Sequence, residues 1–148
     1  MTASHPYYTI WTGALNLGDT PGVFTDATFV GLQLQLPCTI SYAPPTPTPL
    51  ELLLVTTDVE IFEGKRHAIY WGWVAGTPLP APVGYIDDTD PISGKPEYHM
   101  ATIPPASAVA GPHWITILVN PAVQAGMRDD FVLRRIEACD AFGVKFGW

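Results

Sequence analysis

Charged side chains are scarce in this chain. Asp, Glu, Lys and Arg make up 14% of its 148 residues, against roughly 25% in an average soluble domain. So few charges predict a surface that is partly covered by other subunits, or one rich in Thr, Ser and Pro. Lys and Arg total only seven, and the net charge is −7. Phosphate backbones and anionic membranes need clustered Lys and Arg, so we expect neither a nucleic acid nor a membrane as partner.

Long apolar runs are also missing. No segment approaches the roughly 18 apolar residues of a membrane-spanning helix. Residues 1–6 lack the basic start and the apolar stretch of a signal peptide. We therefore expect intracellular synthesis without a signal peptide and, on this ground alone, a cytoplasmic location. Cys38 and Cys139 are far apart in the sequence, and we expect free, buried thiols rather than a disulfide.

Sequence signatures of catalysis are absent as well. The chain has no Gly-x-Ser-x-Gly motif, no glycine-rich phosphate loop and no Cys-x-x-Cys pair. His5, His67, His99 and His113 never stand at the short spacings of a zinc site. We therefore expect no enzymatic activity and no cofactor. A small β-fold hydrolase or isomerase stays open as an alternative, and it needs a pocket where histidines, such as His99 and His113, converge with acidic side chains.

Proline and glycine, by contrast, are abundant. The chain has 16 prolines and 13 glycines, and they are spread along it rather than gathered in one tail. The segments between them are short and rich in β-branched and aromatic residues, which predicts many short strands. With 47% hydrophobic residues, the length suits one domain with its own core. The predicted fold is all-β, a single-domain, jelly-roll-like β-sandwich of about eight to nine short strands.

The predicted strands are separated by turns and a few longer segments. We expect an N-terminal arm at about residues 1–6, a proline-rich extended connection at 43–49, and a long loop rich in Pro and Asp at about 76–96. The strands are expected at Tyr7–Thr12, Phe29–Leu36, Thr39–Tyr42, Leu50–Phe62, His67–Ala75, Glu97–Ile103, His113–Asn120, Phe131–Ala138 and Phe142–Phe146.

The segment from residue 130 to residue 141 has two interpretations. Asp129 or Asp130 is suited to cap a helix that ends before Gly143. A strand fits the β-rich surroundings better, but the adjacent Arg134 and Arg135 interrupt the alternation expected of a strand. The sequence leaves both interpretations open.

Aromatic side chains are the strongest sign of binding in the chain. Exposed aromatic rings stack on sugars or pack at protein interfaces. In a regular strand, Trp71 and Trp73 point to one face of the sheet and Tyr70 to the other. The two aromatic residues nearest the C-terminus are candidate interface anchors. The candidate binding residues are Trp11, Tyr70, Trp71, Trp73, Trp114, Phe146 and Trp148.

An acidic cluster is a weaker candidate site. Asp87, Asp88 and Asp90 place three carboxylates within four positions, and Ca²⁺ takes oxygen ligands of this kind. The spacing does not match the calcium-binding loop of an EF-hand. The same residues, followed by Pro91, are typical of a solvated turn, so we expect no metal here.

The C-terminal segment carries a resemblance to a known group of proteins. It carries mainly apolar residues at strand-like spacing, at Asp130, Phe131, Leu133, Arg135 and Ile136, followed by Ala141, Phe142 and Val144. This spacing resembles that of the closing strands of small β-sandwich virion proteins of tailed phages. The resemblance implies a non-enzymatic accessory or decoration role on a capsid or tail, and a location in the virion rather than in the cytoplasm.

Two functions are therefore predicted. The first is a structural, self-assembling protein that acts through protein–protein contacts, as a homo-oligomer and within a larger assembly such as a virion capsid. The alternative is a carbohydrate-binding β-sandwich, that is, a lectin. Tryptophans that stack on sugar rings and an acidic loop that meets Ca²⁺ or sugar hydroxyls favour this alternative.

Overall fold

The protein is built almost entirely from strands. A computed structural model describes residues 7–17, 29–30, 33–60, 67–73, 77–78, 80–87, 96–118 and 130–146. Over these residues it has ten strands and one 3-10 helix, which confirms the all-β class with slightly more strands than predicted. They are β1 (Tyr7–Leu17), β2 (Phe29–Val30), β3 (Gln33–Ile40), β4 (Leu50–Glu60), β5 (His67–Trp71), β6 (Gly84–Ile86), β7 (Glu97–Ile103), β8 (Gly111–Leu118), β9 (Asp130–Cys139), the 3-10 helix Asp140–Phe142, and β10 (Val144–Phe146).

The strands form two antiparallel sheets. The first sheet has the order β1-β9-β4-β7, and the second has the order β10-β3-β8-β5-β6, with the short β2 also beside β3. When β2 and β10 are set aside, the other strands, numbered along the chain, run 1-8-3-6 in one sheet and 2-7-4-5 in the other. This is the strand order of a jelly roll. The predicted sandwich architecture is thus confirmed.

The core lies between the two sheets and takes alternate residues from each strand. Burial alternates strictly along β7, as expected where one face of a strand meets the core. Leu52 and Leu54 of β4 and Ile115 and Ile117 of β8 belong to one core cluster, and all four are 0–1% exposed. Burying one such side chain contributes about 1.5–3 kcal/mol. This apolar layer holds the sheets together.

The segment at 130–141 is mainly strand, so the helix interpretation is wrong. β9 lies between β1 and β4 and pairs with both, and this pairing outweighs the local capping signals. Val55 pairs with Arg135, but Thr56, the next residue of β4, pairs with Leu133. Arg134 is therefore the extra residue of a β-bulge. The bulge explains the interrupted alternation, because both arginines stay at the surface while Leu133 is fully buried.

β3 continues through Pro37, where the sequence predicted a break between two strands. Pro37 pairs with Trp114, whose carbonyl accepts a hydrogen bond from Gly72 on the far side of β8. The two residues therefore form a non-hydrogen-bonded pair. On its other side β3 meets β2 only at residues 33–34 and β10 only at 38–40. A proline is tolerated at this position because its missing N–H faces no partner strand.

Short contacts between the sheets close both sides of the sandwich. On one side the Thr102 N–H donates to the Val83 carbonyl at 3.0 Å. A Cβ on Gly84 of β6 would lie only 2.5 Å from the Met100 carbonyl oxygen, so glycine permits this close approach. On the other side the Tyr8 hydroxyl donates to a backbone carbonyl of β10 at 2.9 Å. The edge strand β7 is thus covered, and the edge strand β1 carries two register shifts, both of which hinder edge pairing with another chain.

The longer connections agree only partly with the predictions. Residues 43–49 form no strand or helix, as expected for their prolines. The predicted loop at 76–96 contains β6, which pairs with the first residues of β5. A strand of three residues is too short to show a sequence alternation. The predicted arm at 1–6 lies outside the described residues.

Candidate functional sites

Two of the candidate aromatic residues are enclosed by the protein itself. Tyr70 and Trp73 are each 7% exposed, and their ring centroids lie 5.8 Å apart with planes tilted by 50°. The indole N–H of Trp73 donates to the Thr77 carbonyl at 2.9 Å. The hydroxyl of the fully buried Thr116 donates to the Trp73 carbonyl at 3.2 Å. These contacts hold the segment after β5 against the outer face of the second sheet, so neither ring is available to a partner.

The predicted direction of Trp73 is wrong. β5 ends at Trp71, and Gly72 follows with a φ of 75°. This left-handed conformation interrupts the alternation of the strand. Trp73 consequently packs with Tyr70 on the outer face, whereas Trp71 packs against the core.

Trp71 closes one end of the interior. It stacks on His113 with ring centroids 4.7 Å apart and planes 26° from parallel, and its indole N–H donates to the Ser107 carbonyl at 3.0 Å. The Nε2 of His113 lies 2.6 Å from the Val109 carbonyl oxygen, so Nε2 carries the proton and donates. Both rings therefore anchor the loop between β7 and β8. His113 and His99, considered above as a converging pair, lie on different sheets and make separate contacts.

The other aromatic candidates divide between the core and the surface. Trp11 and Phe146 are half-buried and pack against the core. Trp11 also covers Gly13, where a Cβ would meet the indole at 2.7 Å. Trp148 lies outside the described residues, and its role as an anchor stays a prediction. Trp114 is different, because it is 39% exposed on the outer face of the second sheet.

An open groove of about 480 Å³ lies beside Trp114, and we call it the Trp114 groove. It forms where β10, β3 and β8 run side by side. Lys145, Thr39 and Pro112 lie side by side on the three strands, with their side chains on the outer face of the sheet. Pro37 and Trp114 pair two residues further along and point to the same face. Of the predicted aromatic residues, the groove brings together Trp114 and Phe146. It is also lined by His113, on which Trp71 stacks.

The Trp114 groove is locally cationic. Lys145 is exposed on its wall, and none of the described residues that line the groove is acidic. Lys145 makes no ion pair with another described residue. Arg135, by comparison, pairs with Glu137 at 2.6 Å, and Arg134 donates to the Thr57 hydroxyl at 2.9 Å. Lys145 therefore gives the described lining of the groove a positive charge, although the net charge of the chain is −7.

Both cysteines are free, as predicted. Cys38 is buried below the Trp114 groove, and burial raises the pKa of its thiol to about 12. The thiol is therefore protonated at neutral pH and is a poor nucleophile. Cys139 is half-buried rather than buried, which corrects the expectation for that residue.

A second exposed apolar surface lies on the outer face of the first sheet, and the sequence-based candidates did not include it. Tyr98 and Met100 of β7 are 57% and 44% exposed. They pair with Val55 and Leu53 of β4. We call these four residues the Tyr98 patch. Val55 is only 2% exposed although it lies outside the core cluster, so its neighbours on the outer face cover it.

A sequence signal for the Tyr98 patch does exist. Strict alternation along β7 places Tyr98 and Met100 on one face of the strand, and the fully buried Ala101 and Ile103 on the other face. The signal is hidden because the core face of this strand begins with Glu97, a residue type that is normally exposed. Only the register of the sheet shows which face of β7 is inside.

Polar side chains are buried at one end of the interior. Thr56, His67, Glu97 and His99 are no more than 5% exposed. The Nδ1 of His99 accepts from the backbone N–H of Asp87 at 3.4 Å, so the proton lies on Nε2, which donates to the Thr56 hydroxyl at 2.8 Å. Burial lowers the pKa of His99, and the charges of Glu97 and Asp87 oppose this to a smaller extent. The His99 ring is therefore neutral at pH 7.

This buried cluster is where histidines and acidic residues come nearest to the convergence that an enzyme would need. His99 uses both ring nitrogens to hold β4 and the residue after β6, which is a structural use. Among the described residues, no group of three or more His, Cys, Asp or Glu is arranged to hold a metal ion. Asp87 of the calcium candidate is half-buried, whereas Asp88 and Asp90 lie outside the described residues.

Comparisons of the chain with protein-family models, with curated proteins and with solved structures found no match. Within the described ranges there is no helix of the length and hydrophobicity needed to span a bilayer. Among the described residues, the Tyr98 patch and the Trp114 groove are the surfaces on which a partner or ligand can be sought.

Proposed function

We propose that this protein is a non-enzymatic structural protein that assembles with further copies of itself through the Tyr98 patch. The observation that carries the proposal is the exposure of Tyr98 and Met100, at 57% and 44%, side by side on one sheet face. Clustered exposed apolar side chains are typical of protein contact sites. The same patch on two copies can pack about a two-fold axis, because such an interface is self-complementary.

The charges around the Tyr98 patch support this arrangement. Interface cores are depleted of charged residues, and only 14% of this chain is charged. The nearest charged side chains on neighbouring β9, Arg135 and Glu137, neutralise each other in an ion pair at 2.6 Å. The covered edge at β7 and the irregular edge at β1 favour association through sheet faces rather than through edges.

A more specific proposal is an accessory or decoration protein of a phage virion. It rests on the sequence resemblance of residues 130–144, which belong to β9, the 3-10 helix and β10, the last elements of the jelly roll. Jelly rolls occur in viral capsid proteins and also in lectins. The fold is therefore compatible with both predicted functions, and the exposed surfaces have to separate them.

Sedimentation velocity over a range of concentrations tests self-assembly. We expect the wild-type protein to form a dimer or larger oligomer. Met100→Lys should raise the dissociation constant at least about tenfold, because the substitution buries an unpaired charge in the interface. Val109→Lys is the matched control, since Val109 is 49% exposed on a loop away from the patch. A wild-type protein that stays monomeric at every concentration would rule out the proposal.

Carbohydrate binding is a second candidate function, and one observation favours it. Trp114 presents its ring at 39% exposure beside an open groove, the arrangement in which an aromatic ring can stack on a sugar. A glycan array tests this function, with and without EDTA to detect a role for Ca²⁺. We expect binding that Trp114→Ala abolishes, and a protein that binds no glycan removes this candidate.

A further inference from the structure

We propose that the Trp114 groove selects sugars that carry a carboxylate, that is, pyranoses of the uronic acid type. This inference rests on the carbohydrate binding proposed above for the same groove. It adds the chemical class of the ligand and assigns a role to Lys145.

The geometry places a stacking surface and a cation on opposite sides of one strand. Trp114 lies on β8 and Lys145 on β10, with β3 between them. Neighbouring strands are spaced by about 4.8 Å, and Lys145 lies two residues along the sheet from the row of Trp114, so the two backbone positions are about 12 Å apart. A single sugar ring that stacks on the indole fits within this span. A carboxylate on the ring then points toward the Lys145 ammonium group.

The floor between these two residues suits the face of a sugar ring. Pro37 pairs with Trp114, and Pro112 lies two positions before Trp114 on β8. Their rings are apolar and offer no N–H, so this floor can meet the C–H face of a pyranose. Thr39 lies between Lys145 and Pro112 and is exposed, so its hydroxyl can bond to a sugar hydroxyl.

Charge complementarity decides between acidic and neutral sugars. Lys145 has no ion-pair partner among the described residues, and no acidic side chain is found in the described lining of the groove. A neutral sugar leaves this ammonium group unused, whereas a uronic acid pairs with it. An exposed ion pair of this kind improves affinity by up to about fivefold.

The test titrates the full chain with methyl β-D-glucuronide and with methyl β-D-glucoside, its neutral counterpart, while the indole N–H resonances are followed by NMR. We expect the glucuronide to bind about fivefold more tightly, and this advantage to shrink as salt is added. Lys145→Gln should make the two affinities equal. Trp114→Ala should abolish binding of both sugars. Arg134→Gln removes one positive charge from the other sheet and should leave the preference unchanged.

The outcomes separate this inference from the function on which it rests. If both sugars bind equally and Lys145→Gln changes nothing, the carboxylate preference is wrong and carbohydrate binding stands. If neither sugar binds, this inference is wrong, and the glycan array decides whether carbohydrate binding itself stands. Sodium acetate is the remaining control. If acetate binds as tightly as the glucuronide, the groove is a simple anion site and the inference is overturned.

Discussion

Two tryptophans on the same face of the same sheet have opposite surroundings. Trp73 is 7% exposed, whereas Trp114 is 39% exposed. The ring of Trp73 packs on Tyr70 and its indole N–H donates to the Thr77 carbonyl, while nothing in the described chain covers Trp114. Aromatic content alone therefore does not identify a binding surface. What matters is which ring the chain covers with its own backbone.

The same contrast recurs for histidine and cysteine. His99 is enclosed in the core and bonded through both ring nitrogens, whereas His113 is half-buried at the end of the sandwich. Cys38 is buried, whereas Cys139 is half-buried. Each pair offers one residue that the fold encloses and one that it leaves accessible. The following predictions compare these pairs, beginning with the largest expected effect on stability.

Trp73→Ala should lower the free energy of unfolding by about 3–5 kcal/mol, the usual loss for truncating a buried aromatic residue. The matched variant Trp114→Ala should lose less, about 1–2 kcal/mol, because Trp114 is already 39% exposed and gives up less buried apolar surface. Urea unfolding followed by circular dichroism measures both values. Similar losses for the two variants would contradict the contrast between enclosed and open tryptophans.

Gly72→Ala should destabilise the protein by about 1–2 kcal/mol, because Gly72 has a φ of 75° and L-residues are strained in this region. A Cβ there meets open space, so the loss comes from the backbone alone. Gly72→Asn is the control and should lose less, since Asn tolerates this conformation better than Ala. If Asn costs as much as Ala, then a side-chain clash rather than the backbone is responsible.

His99 should make the protein less stable as the pH falls below its ordinary pKa of 6.5. Burial lowers the pKa of His99 in the folded state, so the unfolded chain takes up a proton at a higher pH than the folded chain does. Acid therefore favours unfolding, and the stability present above pH 6.5 is lost as the pH falls toward the folded-state pKa. The free energy of unfolding, measured from pH 7.5 to pH 5, should decline less steeply in His99→Gln. Parallel pH profiles for the wild type and His99→Gln would show that His99 does not cause the decline.

The last prediction concerns reactivity rather than stability. Cys38 should resist alkylation in the native protein. With its pKa near 12, about one thiol in ten thousand is ionised at pH 8, and the side chain is buried. Iodoacetamide should modify Cys139 well before Cys38, as measured by mass spectrometry on Cys38→Ser and Cys139→Ser. Urea should bring the two rates together, and rapid labelling of Cys38 in the native protein would argue against its burial.

Much of the fold could be predicted because the relevant signals are local. β7 has the same bounds, Glu97–Ile103, in prediction and structure, since its alternation is strict over seven residues. β5 was predicted from its first residue, but its end was missed because Gly72 turns the chain out of the strand. β6 was missed, as three residues carry too little pattern. The candidate sites were predicted less well, because exposure depends on which distant segment covers a residue.

The sequence by itself determined the all-β class and the spacing of the strands, because neighbouring residues encode alternation and turns. Only the tertiary structure decided that residues 130–139 form a strand, that Trp73 is enclosed, and that Trp114 and Lys145 share one groove. These outcomes depend on pairing between distant parts of the chain, as in the hydrogen bond from Tyr8 to Val144, which spans 136 positions. A local pattern holds no information on such partners until the sheets have formed.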